Sequence, residues 1–277
     1  MDTPHPLDKK LSHHLTRRHH TSTLRTLTLP TPTQTDFSSN DFLSLSTHPQ
    51  LKSSFLHELQ SQNLPLGSGG SRLLDGNSVY AEHLERDIAA FHGGETGLLF
   101  NSGFDANAGF FGCVPQSGDV VVWDALIHAS VHEGMRVSRA SSTVAFAHNS
   151  VLDLRRRLEG LVGQEEDALG ARLKAGKAHV FVAVEAVYSM DGDVAPLKEI
   201  VEVVEEVLPR GCGVIVVDEA HATGVIGPQG RGLVCELGLE ARVFARLHTF
   251  GKGVGCSGGE FRLFSIYLYL YHTFADT

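Results

Sequence analysis

Asp218, His221 and Lys252 form the constellation in this chain whose residue types and spacing point to catalysis. Asp218 closes an apolar run, Gly213–Asp218 (GVIVVD), and His221 follows three residues later. Thirty-one residues beyond His221, Lys252 stands between glycines in His248-Thr249-Phe250-Gly251-Lys252-Gly253. A lysine in a tight apolar turn has its amine pKa lowered by desolvation, which suits Schiff-base chemistry. Its flanking glycines let the backbone come close to a bound ring or phosphate. Taken singly, Lys252 reads as a surface-loop lysine and Asp218 as a strand-end cap.

Two motif matches lead elsewhere and fail on context. Asp218-Glu219-Ala220-His221 spells the DEAH box of helicases, but that chemistry needs a phosphate loop of the form G-x-x-x-x-G-K-[ST]. The Gly-Lys pairs at 176–177 and 251–252 lack both the upstream glycine and the following Ser or Thr. Gly253-x-Gly255-x-x-Gly258 matches a dinucleotide fingerprint, yet the residues after it are too few for a full βαβ unit.

The elements that must position these residues alternate. Short apolar runs at Gly97–Asn101, Asp119–Asp124, Thr143–Ala147, His179–Val187, Gly213–Asp218 and Ala245–Phe250 predict strands. Helical patterns at Asn107–Gly112, Ala129–Val137, Leu152–Leu161 and Leu197–Leu208 lie between them. Continuous Val/Ile-rich strands alternating with helices predict an α/β fold with a mainly parallel sheet covered by helices on both faces. In such sheets function gathers at the loops after the carboxyl ends of the strands. The charged, Gly-rich stretch Gly163–Lys177 reads as an exposed loop or frayed helix end.

The chain has 277 residues, 42% hydrophobic and 20% charged, which fits a folded globular protein and excludes overall disorder. A net charge of −9 argues against nucleic-acid binding through a basic face. Four cysteines without C-x-x-C spacing read as intracellular thiols. Residues 1–30 lack an apolar signal core, and no apolar run reaches the ~20 residues of a membrane span. Leu11, Leu15 and the basic residues after them predict a leading surface helix, with an organelle-targeting peptide as the other reading. The expected location is the cytoplasm, with mitochondrion or peroxisome as alternatives. The histidines at 13, 14, 19 and 20 read as a solvated helix face, with no metal site expected.

Seven segments, in order, resemble the α-oxoamine synthases, a branch of the pyridoxal-phosphate (PLP) enzymes of the aspartate-aminotransferase fold (fold type I). They are Phe37-Ser38-Ser39-Asn40-Asp41-Phe42-Leu43, Gly67-Ser68-Gly69-Gly70-Ser71-Arg72-Leu73, Asn101-Ser102-Gly103-Phe104-x-Ala106-Asn107, Asp124-x-x-x-His128-Ala129-Ser130, Glu185-x-x-x-Ser189-Met190-Asp191-Gly192-Asp193, Asp-Glu-Ala-His-Ala-Thr-Gly at 218–224, and Thr249-Phe250-Gly251-Lys252.

The resemblance implies roles. Lys252 would carry PLP on its amine, and Asp218 would pair with the pyridinium nitrogen, which makes the ring an electron sink. His128 would stack on the ring, while His221 and Ser189 would bond its phenolic oxygen. Ser102, Gly103 and Phe104 would cradle the phosphate at a helix start, with Thr249 adding a hydroxyl. Glu185 would support the site from a strand end, and Asn40 would contact the amino-acid carboxylate. His128 also reads as a helix-start histidine, Ser189 as a turn residue and Asn40 as an N-cap. The implied reaction condenses an amino acid, alanine in the nearest resemblance, with an acyl-CoA, and releases coenzyme A and CO2. The implied assembly is a homodimer, with neither nucleic acid nor membrane as a partner.

The resemblance stops at Gly258, where the family continues into more strands and a C-terminal small domain. The expected organisation is an N-terminal helix and linker over 1–36, an incomplete PLP-binding large domain over 37–258 with the small domain missing, and a divergent apolar tail over 259–277. The second expected function is a catalytically inactive fragment that binds PLP or pairs with a full-length partner.

Overall fold

The computed structural model describes residues 5–31, 33–163 and 168–263. The chain divides into two units, Met1–Ser38 and Ser39–Thr277. In the first, helix α1 spans Pro6–His20 and is capped by the His5 side chain, which accepts from the Leu7 N–H. Asp8 lies in its first turn, and Arg17, Arg18, His19 and His20 in its last, the arrangement that complements a helix dipole.

In the second unit, the described residues form a seven-stranded sheet. Its strands are β1 (Thr96–Phe100), β2 (Val120–Asp124), β3 (Ser142–Phe146), β4 (Val180–Glu185), β5 (Gly213–Asp218), β6 (Ala245–Thr249) and β7 (Gly259–Leu263), in spatial order β1-β7-β6-β5-β4-β2-β3. The pairs β2·β3, β2·β4, β4·β5 and β5·β6 are parallel, and β7 runs antiparallel to both β1 and β6. The helices are α2 (Pro49–Ser61), α3 (Val79–Phe91), α4 (Gly103–Cys113), α5 (Ala129–Val137), α6 (Val151–Val162), α7 (Ala168–Lys174), α8 (Leu197–Val207) and α9 (Leu233–Glu236).

The period-two alternation of the strands divides the core in two. Val120, Val122, Val180, Val182, Val184, Ile215 and Val217 pack on one face with Leu154 and Leu158 of α6 and Ile200, Val201 and Val204 of α8. Val121, Phe181, Ala183, Val214, Val216, Ala245 and Leu247 pack on the other with Phe110 and Phe111 of α4 and Val131 of α5. Continued to the carboxyl ends, the second face terminates in Glu185 on β4, Asp218 on β5 and Thr249 on β6. The backbone pattern that builds the core therefore also delivers three polar side chains to one end of the sheet.

Two stretches differ from the sequence reading. The segment 163–177 contains helix α7, because Leu173 is buried and Arg172 donates to the Ser117 and Lys177 carbonyls. The sheet also runs past the expected boundary at Gly258. Gly259–Leu263 forms β7, inserted between β1 and β6, with Phe261 buried and stacked at 4.7 Å on Phe110. The rest of the expected tail, 264–277, lies outside the described residues. No helix among the described residues is long and apolar enough to cross a membrane.

Candidate active site

Four turns converge at the carboxyl ends of β4, β5 and β6. Ser102 precedes α4 and caps it, its hydroxyl oxygen accepting the Asp105 N–H at 3.0 Å. The opening N–H groups of this 11-residue helix have no intrahelical acceptor. A side chain at Gly103 would meet the Thr249 side chain at 3.0 Å, so glycine is what lets α4 approach β6 so closely. His128 caps α5. Lys252 reaches in from the turn after β6.

Together Ser102, Gly103, Phe104, Asn107, His128, Ser130, Glu185, Asp218, Ala220, Leu247, Thr249 and Lys252 line a cavity of about 200 Å³. Lys252 Nζ lies 2.9 Å from His221 Nε2. Burial pushes the His221 pKa down to about 4, and the neighbouring Lys252 charge adds to this. The imidazole is therefore neutral and Nε2 accepts from the lysine. Burial also lowers the Lys252 pKa, against the opposing pull of Asp218 and Glu185. The amine is thus moved towards its uncharged, nucleophilic form. His128 is shifted down as well, by burial first, against Asp218, and with Lys252 adding to the fall. Phe104 meets the His128 ring edge-on at 6.1 Å.

Asp218 Oδ2 accepts from Asn107 Nδ2 at 2.7 Å, and Oδ1 from the Ala220 N–H at 2.9 Å. Glu185 is pushed up to about 8, by burial first and then by the Asp218 charge, and its Oε1 is buried without a hydrogen-bond partner among the described residues. Glu219 is turned away from the cavity. Its carboxyl group accepts from the Leu233 and Val234 N–H groups at 2.7 and 3.0 Å and so satisfies the start of α9.

Of the residues singled out by sequence, Lys252, Asp218, His128, Glu185, Ser102, Gly103, Phe104 and Thr249 share the cavity, and His221 touches it through Lys252. Asn40 and Ser189 are exposed and stand outside the lining. Asn107 and Ser130 were given no role by sequence, although both lie within the quoted segments. The available signal was helical spacing: Asn107 is four residues after Gly103, hence on the same face of α4.

The donor set suits a phosphorylated pyridine aldehyde. The helix start and two hydroxyls suit a phosphate, Asp218 in the same lining suits a protonated ring nitrogen, and the lysine suits an aldehyde.

Residues 32–261 match the family described as Aminotransferase class I and II. The chain is similar to the 8-amino-7-oxononanoate synthase of Emericella nidulans, with 54% identity over 93% of this chain and 62% of that protein. It is similar in structure to Sphingomonas wittichii serine palmitoyltransferase, with a TM-score of 0.70 and 34% identity over 84% of this chain and 53% of that one. A further structure, of SPT with PLP, has a TM-score of 0.69 and 32% identity over 82% of this chain and 52% of that one. The chain thus spans between about half and 62% of the length of these relatives.

Proposed function

From the premise that the chain belongs to the aminotransferase class I and II family, on its α-oxoamine synthase branch, we propose that it serves a PLP-dependent C-acyltransferase. In this reading an amino acid condenses with an acyl-CoA to give a 2-amino ketone, with release of coenzyme A and CO2. The resemblance to 8-amino-7-oxononanoate synthase favours alanine as the amino acid and biotin biosynthesis as the setting. The reading includes a homodimer as the assembly.

The observation that carries the proposal is the pairing of Lys252 with neutral His221 at 2.9 Å, in a cavity that also holds Asp218 and the start of α4. When bound, PLP supplies an electron sink for charge developing on the α-carbon of the amino acid. Lys252 Nζ would be the amine that holds PLP, and its lowered pKa would also suit it to accept a proton as a base. Asp218 would pair with the ring nitrogen and keep it protonated. His128, in the lining, would pack against the bound ring and exclude water, and His221 would offer it a hydrogen bond. Ser102, Gly103, Phe104 and Thr249 hold the phosphate. Glu185, neutral at pH 7, supports the site without adding a second negative charge beside Asp218. Asn40 and Ser189, outside the lining, would be reached only by a ligand extending beyond the cavity.

Borohydride reduction in the presence of PLP followed by peptide mapping is expected to place a pyridoxyl group on Lys252. Label confined to Lys174, Lys177 or Lys198 would overturn the reading. Exchange of the α-proton in deuterium oxide, compared for alanine, serine and glycine, tests the choice of amino acid without needing the acyl donor.

A further inference from the structure

A hydrogen-bond chain links the two groups on either side of the cavity through residues with no role in the reading above. Asn107 Nδ2 lies 2.7 Å from Asp218 Oδ2 and 3.0 Å from Ser130 Oγ, and all three side chains are buried. The amide atom facing a carboxylate has to be the nitrogen, because the amide oxygen there would set acceptor against acceptor. Both amide hydrogens are then committed, one to Asp218 and one to Ser130 Oγ. A hydroxyl that accepts from the amide still has its own hydrogen to give. The acceptor within reach is His128 Nδ1, at 2.7 Å. The Ser130 backbone N–H points at the same nitrogen from 3.2 Å. Nδ1 is thus met by two donors, and a neutral imidazole so placed carries its proton on Nε2.

We propose that Asn107 is a positioning residue acting on both walls of the site: it orients the Asp218 carboxylate directly and, through Ser130, fixes His128 as the neutral Nε2–H tautomer. The inference rests on the proposed function only in taking Asp218 and His128 as the groups that face the cofactor. The chain of donors runs from Asn107 in both directions, so neither end has to change partners when the cavity fills. A neutral imidazole over the ring also avoids opposing the positive charge that Asp218 keeps on the ring nitrogen. The lowered pKa of His128, driven first by burial, agrees with this state.

The test is tautomer-resolved nitrogen NMR of the 15N-labelled chain at neutral pH without cofactor. The parent protein is expected to show His128 with a protonated Nε2 and a bare Nδ1. In Ser130→Ala the two ring nitrogen resonances are expected to move towards each other, as the tautomers begin to average. Asn107→Leu, which does not touch His128, is expected to produce the same shift because the Ser130 hydroxyl is then free to rotate. Ser130→Thr keeps the hydroxyl and is expected to keep the parent pattern. A parent His128 protonated on Nδ1, or a Ser130→Ala protein with unmoved resonances, overturns the proposal. So does a folded Asn107→Leu protein with unmoved resonances. If Asn107→Leu does not fold, Ser130→Ala decides. Failure of PLP to label Lys252 would defeat the proposed function and leave this spectrum unchanged, so the two outcomes are separable.

Discussion

Glu185 and Asp218 stand opposite each other in register at the carboxyl ends of the adjacent parallel strands β4 and β5. Two buried carboxyl groups therefore share one end of the sheet, and their environments differ. Asp218 accepts from Asn107 and Ala220, whereas Glu185 keeps an unpartnered oxygen and is pushed up to about 8 by burial and by Asp218. Glu185 is thereby left as the proton holder of the pair.

This asymmetry predicts unequal effects of two amide substitutions. Asp218→Asn is expected to lower α-proton exchange by about 10²-fold or more, the scale of losing one preorganised electrostatic partner, while cofactor binding persists. Glu185→Gln replaces a group already neutral at pH 6.5 and is expected to behave like the parent there. The two proteins should diverge above about pH 8, where Glu185 loses its proton. Exchange rates by NMR at both pH values check the pair.

Glu260 on β7 is fully buried, and neither of its carboxyl oxygens has a hydrogen-bond partner among the described residues. Burial, with Glu85 adding to it, pushes its pKa up to about 9. The folded state thus holds a proton that the unfolded chain gives up near the ordinary glutamate value. Stability is fully present below that value and falls as pH rises towards about 9, by up to ~1.4 kcal/mol per pH unit. Glu260→Met, which fills similar space without a charge, is expected to stabilise the protein at pH 8 by about 1–3 kcal/mol and to flatten the pH dependence. Urea denaturation of both proteins at pH 6 and 8 measures this.

His148 bridges two carboxylates, with Nδ1 2.8 Å from Asp124 and Nε2 2.7 Å from Asp193. Asp193 belongs to the turn that carries Ser189, and its carbonyl accepts from the Tyr188 N–H. Burial alone would lower the His148 pKa, but the hydrogen bonds to Asp124 and Asp193 outweigh it and raise the pKa. The charged bridge is complete below the ordinary histidine value and is lost as pH rises through the raised folded value. Hydrogen-exchange protection of the Tyr188 and Gly192 amides is expected to fall across that range. In His148→Gln it should be lower at acidic pH and change little with pH.

Arg72, in the glycine-rich segment, makes a two-pronged ion pair with buried Glu85, one arm at 3.0 Å. Glu85 also accepts the Leu99 N–H of β1 at 2.8 Å, so this carboxylate ties the loop to the sheet. Arg72→Ala leaves a buried charge without its main counter-ion and is expected to cost about 3–5 kcal/mol. Arg72→Ala with Glu85→Gln should recover part of the loss. A double-mutant cycle in urea checks both values.

Much of this architecture is legible in the chain itself. The Val-rich runs give β2, β4 and β5, and α5 falls on Ala129–Val137 as the pattern predicts. Polar residues closing apolar runs mark the end of the sheet where the cavity forms. The link from Asn107 to Asp218 is not legible, because it spans 111 residues and exists only once α4 packs against the sheet. Nor is β7. Gly259-Glu260-Phe261-Arg262-Leu263 lacks the apolar continuity of the other strands and takes its place by pairing with two neighbours, a tertiary effect that overrides local preference. In α7 a single buried leucine within a charged stretch is too weak a periodic signal.

The insertion of β7 also sets an order of assembly during synthesis. Strands β2 to β6 can pair with one another as they leave the ribosome, but β1, made before all of them, pairs among the described residues only with β7. Among the described strands, the first to be translated is therefore the last to be housed. Closing it joins Thr96 to Leu263, the most distant pairing in the sheet, and contacts so far apart in sequence form slowly. Until then both β1 and β6 present open edges, and a nascent chain stalled before Gly259 carries two unprotected templates for mispairing.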